Sequence, residues 1–212
     1  RRQAVQALGR GKLAEGSRPG HALELVTKYL DDEDQHVRRT ALESAVRLSL
    51  PPPPHEDMTA EEAAAATERR QRAQESEVMQ NLLQQVMLRL AEDQDWGVRK
   101  VALSAVAEMA TRGHLKALQA VQVYLSDKDD DVRAAAAVAI GKLAPRGEEE
   151  WLQKLFQLLE DDDEGVRQAA VTAVGRVAPK GHGEAIHRLR DLAHDEDDDK
   201  VRRVVVSTLH IL

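Results

Sequence analysis

Residues Asp127 to Gly147, DKDDDVRAAAAVAIGKLAPRG, are followed 34 residues on by Asp161 to Gly181, DDDEGVRQAAVTAVGRVAPKG. Self-similarity at a fixed period restricts a chain to repeat architectures, because every copy folds alike and meets its neighbour alike. The Val-Arg pair marks the copies: Val37-Arg38, Val98-Arg99, Val132-Arg133, Val166-Arg167 and Val201-Arg202. The valines are spaced by 61, 34, 34 and 35 residues. The step of 61 is one repeat plus about 27 residues, which reads as an insertion into an otherwise regular array. The opening RRQAVQALG matches RQAAVTAVG from Arg167, so Arg1 belongs to a sixth copy, 37 residues before Arg38.

Each copy has a physical grammar. An Asp stands three residues before every marker Val, at Asp34, Asp95, Asp129, Asp163 and Asp198. That is the place of a helix N-cap, whose carboxylate accepts orphan backbone N–H groups. The same Asp lies four residues before the Arg, a spacing that predicts an ion pair along the first turn contributing about 0.3–0.5 kcal/mol. Positions four, five and eight after the Val are small or apolar, as in Ala136, Ala137 and Ile140, and again in Ala170, Val171 and Val174. This is a helical stripe. Pro145 and Pro179 then end the helix, and Gly147 and Gly181 permit the turn. Amphipathic segments such as HLKALQAVQVYL and EEEWLQKLFQLL lead to the next acidic turn. Each unit is thus two antiparallel helices that bury their apolar faces only by stacking on further units.

An Asp-containing turn, Val-Arg, and then Ala with Leu, Val or Ile at helical spacing resembles the HEAT repeat. More closely, it resembles the short HEAT-like repeats named after phycobilisome lyases. The resemblance covers nearly the whole chain apart from residues 51 to about 75. It implies an all-α fold, an α-solenoid of stacked helix pairs wound as a right-handed superhelix, with residues 1–212 forming one solenoid. Relatives of this kind include scaffolds, adaptors, chromophore lyases and a di-iron hydroxylase, so the fold alone does not fix the function.

Composition narrows the choice. Aromatics make up 2% of the chain, so Ala, Val and Leu must build the core. A net charge of −7 argues against nucleic acid, which needs a dense basic face. The one candidate row of bases, Arg39, Lys100 and Arg203, is broken by Ala134 and Gln168. With no cysteine there is no disulfide, thiolate metal site or thiol nucleophile. No apolar run reaches the length of a membrane span, so a soluble chain is expected, in an intracellular setting. The apolar ending VRRVVVSTLHIL and the start inside a second helix suggest a piece of a longer array.

The insertion begins PPPPHEDMTAEEAAAATERRQRAQESE. Its proline run predicts polyproline II, and Thr59 with Glu62 predicts a capping box. From there to about Ala91 the Ala-, Glu- and Arg-rich sequence predicts one long helix extending into the following repeat, solvated and dispensable for folding. The Pro-rich and Ala/Glu/Arg-rich part spans residues 51–75. Proteases are expected to cut first between Leu50 and Glu77.

Other candidate chemistries rest on weaker patterns. The acidic turns lack the spaced Asp, central Gly and terminal Glu of an EF-hand, and capping accounts for them. His187, Asp191 and His194 share one helical face near His182, but scattered histidines with a solvated face explain them without a metal. The hydroxylase relatives use His-Glu pairs inside several repeats, whereas here the only such pair is His55-Glu56, in the insertion. GRGKLAEG, Gly9 to Gly16, lacks the Ser or Thr of a phosphate loop. No cofactor, metal or small-molecule ligand is expected.

What remains is a non-catalytic scaffold or adaptor that binds a protein partner, with a repeat subunit of a chromophore lyase as the alternative. The second helices resemble those lining the concave face in the HEAT family. With positions four, five and eight after the Val in the core, positions two, three and six face the groove. The residues expected to meet a partner are Arg39, Lys100, Ser104, Ala134, Ala135, Val138, Gln168, Thr172 and Arg203. The expected groove has a small apolar middle and polar approaches, suited to a helix or extended segment with apolar anchors and some acid.

Overall fold

The computed structural model describes residues 1–9, 19–51 and 57–212. The GRGKLAEG segment from Arg10 onward, most of the proline run and His55-Glu56 lie outside those residues. Twelve α-helices and no strand occur among the described residues. In chain order they are α1 (Arg2–Gly9), α2 (Pro19–Lys28), α3 (Gln35–Ser49), α4 (Ala60–Gln74), α5 (Glu77–Glu92) and α6 (Trp96–Met109), and then α7 (Leu115–Gln122), α8 (Asp130–Leu143), α9 (Glu149–Gln157), α10 (Glu164–Val177), α11 (Gly183–Asp195) and α12 (Asp199–Leu209). Short 3-10 turns end α2, α7 and α9. The array is an α-solenoid of helix pairs, and it divides into two compact units, Arg1–Thr111 and Arg112–Leu212.

The five predicted aspartates all cap. Asp95, Asp129, Asp163 and Asp198 accept the N–H of their marker valines, and Asp34 accepts that of His36. Behind the caps, positions four, five and eight form the core in the first four marked copies. Ala41, Leu42, Ala45, Ala102, Leu103, Val106, Ala136, Ala137, Ile140, Ala170, Val171 and Val174 are all buried. In α12 the fifth position, Val206, is 49% exposed.

The arginines do not pair as their i,i+4 spacing predicts. Arg38 makes a two-pronged bond to Asp93, 55 residues away, at 2.7 and 3.0 Å. Arg133 does the same to Asp161 at 2.8 and 2.8 Å, and Arg167 to Glu196 at 2.7 and 2.8 Å. Each arginine therefore grips the acid five residues before the next copy's valine. Its remaining N–H groups go to carbonyls of its own turn, such as Asp32 O, Asp127 O and Asp161 O. The acid of the next turn accepts one backbone N–H, as Asp161 does from Asp163, and still offers two aligned oxygens to the flat guanidinium. Arg1 bonds Asp32 at 3.1 Å, which places the chain's first residue on the same ladder.

A second set of bonds works at the other end of the second helices. Gly113, Gly147 and Gly181 turn with φ of 83°, 86° and 80°. In that conformation the Gly113 and Gly147 N–H groups donate to Leu143 O and Val177 O at the end of the next second helix, at 2.7 and 2.8 Å. Arg112 and Arg146 add bonds to Ala144 O and Ala178 O at 2.7 and 3.0 Å. The turns before the second helices thus carry the paired acids, and those after them carry Arg112 and Arg146.

The insertion departs from expectation. The capping box at Thr59 and Glu62 forms. The single long helix does not, because the chain breaks at Glu75 and Ser76, and Ser76 caps α5 by accepting the Met79 N–H. Serine prefers to cap rather than continue a helix, so the helix is interrupted here without Gly or Pro. Nor is α4 merely solvated. Ala66, Arg70 and Gln74 share one face: Ala66 is buried, and the other two reach the end of α6.

Candidate functional surface and cleft

Of the residues expected to meet a partner, none is buried, and each stands on a second helix. In the unit Arg112–Leu212, Ala134, Ala135 and Val138 of α8 are half-buried, as is Thr172 of α10, while Gln168 and Arg203 are exposed. Thr172 bonds back to Gln168 O at 3.0 Å, and Arg203 to Asp199 O at 3.1 Å. Two neighbours at equivalent positions, Thr40 and Ala169, are buried instead, so the exposed face is narrower than the spacing implies. In the unit Arg1–Thr111, Arg39 meets His36 Nδ1 at 2.9 Å, and the Lys100 ammonium lies 6.0 Å from the Trp96 ring centre. Ser104 is exposed.

Sequence reasoning missed the concavity at Ser104. A cleft of about 480 Å³ opens between α3 and α6. Glu43, Val101 and Ser104, all at predicted groove positions, line it together with Val46, Arg47, Leu50 and Ala105. The insertion closes it: Pro51 and Arg70 stand in its wall. Arg70 donates to Pro51 O at 2.6 Å and pairs with Glu108. Gln74 donates to Glu108 O at 2.6 Å. The signal for this cleft was one residue. Nine places after the marker position, α1, α8 and α10 carry Gly9, Gly141 and Gly175. A Cβ on Gly141 would lie 2.8 Å from Ala173 Cα, so α8 and α10 touch almost backbone to backbone there, and one on Gly175 would lie 2.7 Å from the Thr208 methyl, so at both glycines there is no room for a side chain. At the same place α3 carries Val46, facing Ala105 across the cleft.

Trp96 was also missed. It is 43% exposed in a chain with two tryptophans, beside Lys100. Tryptophan in such a setting is a common energetic anchor of protein interfaces.

Other clusters are explained by the fold. Asp129, Asp130 and Asp131 bring carboxylate oxygens within 4.8 Å of one another, but Asp129 caps α8 and Asp130 accepts the Asp131 N–H. His182 caps α11 through Nδ1, which accepts from Ala185 N at 3.1 Å. His187 pairs with exposed Asp191. A second cleft, of about 590 Å³, lies between the turn after α9 and the end of α11, with Phe156, Leu159 and Leu192 among acids. Two of those acids already serve the ladder. Arg167 holds the Glu196 carboxyl below its ordinary range. Burial pushes Asp161 up, but Arg133 and the Asp163 N–H outweigh it, and the net shift is downward.

No helix among the described residues is long and apolar enough to cross a membrane. No curated protein matches the chain. Among solved structures, a designed armadillo repeat protein in complex with the peptide (KR)4 is similar over 99% of this chain and 90% of its own, with a TM-score of 0.63 and 18% identity. A second designed armadillo repeat protein matches over 100% of this chain and 92% of its own, with a TM-score of 0.61 and 19% identity. At such identities the likeness speaks for the fold. The family model described as HEAT repeats matches residues 83–149 and 120–210. These matches span more than half of the sequence and take in the copies marked by Val98, Val132, Val166 and Val201, so the chain belongs to the HEAT-repeat family.

Proposed function

We propose that this protein is a non-catalytic scaffold that binds a protein partner through the exposed faces of its second helices. The observation that carries the reading is the division of labour along those helices. Positions four, five and eight make the core, the flanking acids and bases join successive copies, and positions two and six, with position three except at buried Thr40 and Ala169, stand outside both tasks. Ala134, Ala135 and Val138 nevertheless present small apolar surface there, with Gln168, Thr172 and Arg203 following on α10 and α12. Arg39, Lys100 and Ser104 are the counterparts in the other unit.

A dry centre with a polar surround is how protein interfaces are composed. A similar fold with a peptide bound, the designed armadillo protein with (KR)4, supports the class of partner. The repeat period of 34–35 residues also supports a place among the short HEAT-like repeats named after phycobilisome lyases, a grouping that carries no chemistry of its own. A chromophore-lyase role finds no support in the geometry or the comparisons.

The test is Val138→Arg. A half-exposed valine on a binding face accepts the long side chain with a stability change within about 0.5 kcal/mol. The partner, identified by mass spectrometry of what co-purifies with the full-length protein, should be lost. Unfolding of the variant would instead make Val138 core, and the reading would fail.

A further inference from the structure

We propose that the cleft between α3 and α6 is an anchor pocket for one bulky apolar side chain of a partner segment. That segment carries a base placed against Glu43 and an acid placed against Arg47. The proposal rests on the second-helix reading above and names the point at which the partner is chosen.

Volume, lining and rim charge converge on this. At about 480 Å³ the cleft is within the range of about 300–1,000 Å³ typical of ligand pockets, and helix packing has left it open. Its lining is mainly apolar: Val46, Leu50, Pro51, Val101 and Ala105. Arg70 and Glu108, the charged pair in its wall, already bond to each other. A polar group pushed deep into the cleft would lose water without gaining a partner, so the inserted group must be apolar.

The rim asks for the opposite. Glu43 and Arg47 are both exposed, and neither side chain makes a hydrogen bond or ion pair among the described residues. They stand one helical turn apart on α3, about 6 Å along its axis. A carboxylate and a guanidinium so placed complement a segment that brings one charge of each sign beside its anchor, and they penalise a segment with the signs reversed.

Position favours a peptide over a free small molecule. The cleft opens on the face that carries the groove positions, with Val101 and Ser104 as its threshold. An occupant entering there lies against the second helices outside the cleft as well as within it.

The insertion gains a role from this geometry. Without Arg70 and Pro51 the cleft would lack one wall, so α4 determines which partner is accepted.

The probe is a phage-displayed library of random twelve-residue peptides, panned against the whole chain. Selected peptides are then measured by fluorescence anisotropy against the wild type, Ser104→Trp, Val101→Glu, Glu43→Lys, Arg47→Glu and Val138→Arg. Ser104 is exposed and its indole replacement fills the cleft mouth. Val101→Glu, a smaller change that charges the lining, covers the case in which the tryptophan disturbs folding. The expected peptides carry a Leu, Ile, Met, Phe or Trp with one basic and one acidic neighbour. They should lose at least tenfold affinity for Ser104→Trp and Val101→Glu, and several-fold for each charge reversal. Peptides that ignore the cleft variants but are lost on Val138→Arg would overturn the pocket and leave the scaffold reading standing. A library that yields no peptide sensitive to either set overturns the pocket and counts against the scaffold reading too.

Discussion

The α8–α10 joint and the α3–α6 joint are built from the same repeat, yet they are fastened differently. At the end where the second helices begin, they are alike. Arg133 grips Asp161 in one and Arg38 grips Asp93 in the other, each with two short bonds. At the opposite end they diverge. In the first joint Gly141 lets α8 touch Ala173, and the turn at Gly147 donates to the end of α10. In the second, Val46 replaces the glycine, and the turn has been replaced by an insertion. That insertion enters after α3, so only the fastenings at its own end had to change. Gln74 now donates to Glu108 O and, at 3.5 Å, to Ala110 O, at the end of α6. Arg112 does the same task for Ala144 in the other unit. A repeat joined at two ends by independent means can thus accept about 27 extra residues at one of them without losing register.

The largest expected effect is on what the joints share. In Arg167→Ala, the Glu196 side chain, 2% exposed, is left without its cation. In Arg38→Ala, the same happens to Asp93, 6% exposed. Each variant should lose about 2–3 kcal/mol in urea unfolding, less than a fully buried pair because the arginines are partly wet. Equal losses support a common rung. A silent Arg38→Ala would mean that the insertion, not the arginine, holds the α3–α6 joint.

Acid should act on the same rung. The folded-state pKa of Glu196 lies below its ordinary 4.5, chiefly because Arg167 bonds the carboxylate. Its contribution is therefore complete above about pH 4.5 and lost as pH falls through the lower folded value, where the unfolded chain binds more protons. Glu196→Gln should flatten the fall in stability over that window. An unchanged slope would remove the glutamate from the account.

Next in size is the contrast itself. In Gly141→Ala the new methyl would lie 2.9 Å from Ala173 Cβ and 2.8 Å from its Cα. Overpacking of this kind costs about 1–3 kcal/mol, offset by about 1 kcal/mol of improved helix propensity. A net loss of about 1–2 kcal/mol is expected by thermal unfolding. Val46→Ala faces an open cleft and should change stability by no more than about 1 kcal/mol. If the glycine variant is the milder of the two, close contact is not what distinguishes the joints.

How much of this was legible in the sequence follows from the range of each interaction. The caps at Asp95 or Asp163 and the core at Ala136, Ala137 and Ile140 depend on spacing within one helix, and the repeat shows that spacing directly. The partner of Arg133 is 28 residues away and that of Arg38 is 55 away, so an i,i+4 rule looked only at the helix it was on. The break at Ser76 has neither Gly nor Pro, and the helix-favouring composition on both sides runs straight through it. The cleft had a readable sign in Val46, set against Gly9, Gly141 and Gly175. A missing glycine means something only once it is known that the glycines are where helices touch.

The smallest effect tests whether the insertion is part of the α3–α6 joint. Arg70 ties α4 to both sides of the cleft, through Pro51 O on the α3 side and Glu108 on α6. Its side chain is 16% exposed and that of Glu108 36%, so the ion pair is screened by water and contributes about 1 kcal/mol or less. Global unfolding of Arg70→Ala should hardly differ from wild type. Hydrogen exchange separates the possibilities where melting does not, because it reports local opening far below the global free energy. Removing the arginine should speed exchange through Ala60–Gln74 and leave α8 and α10 as they were. If α4 is instead as free in the wild type as in the variant, Arg70 holds nothing, and the wall of the cleft is no part of the joint.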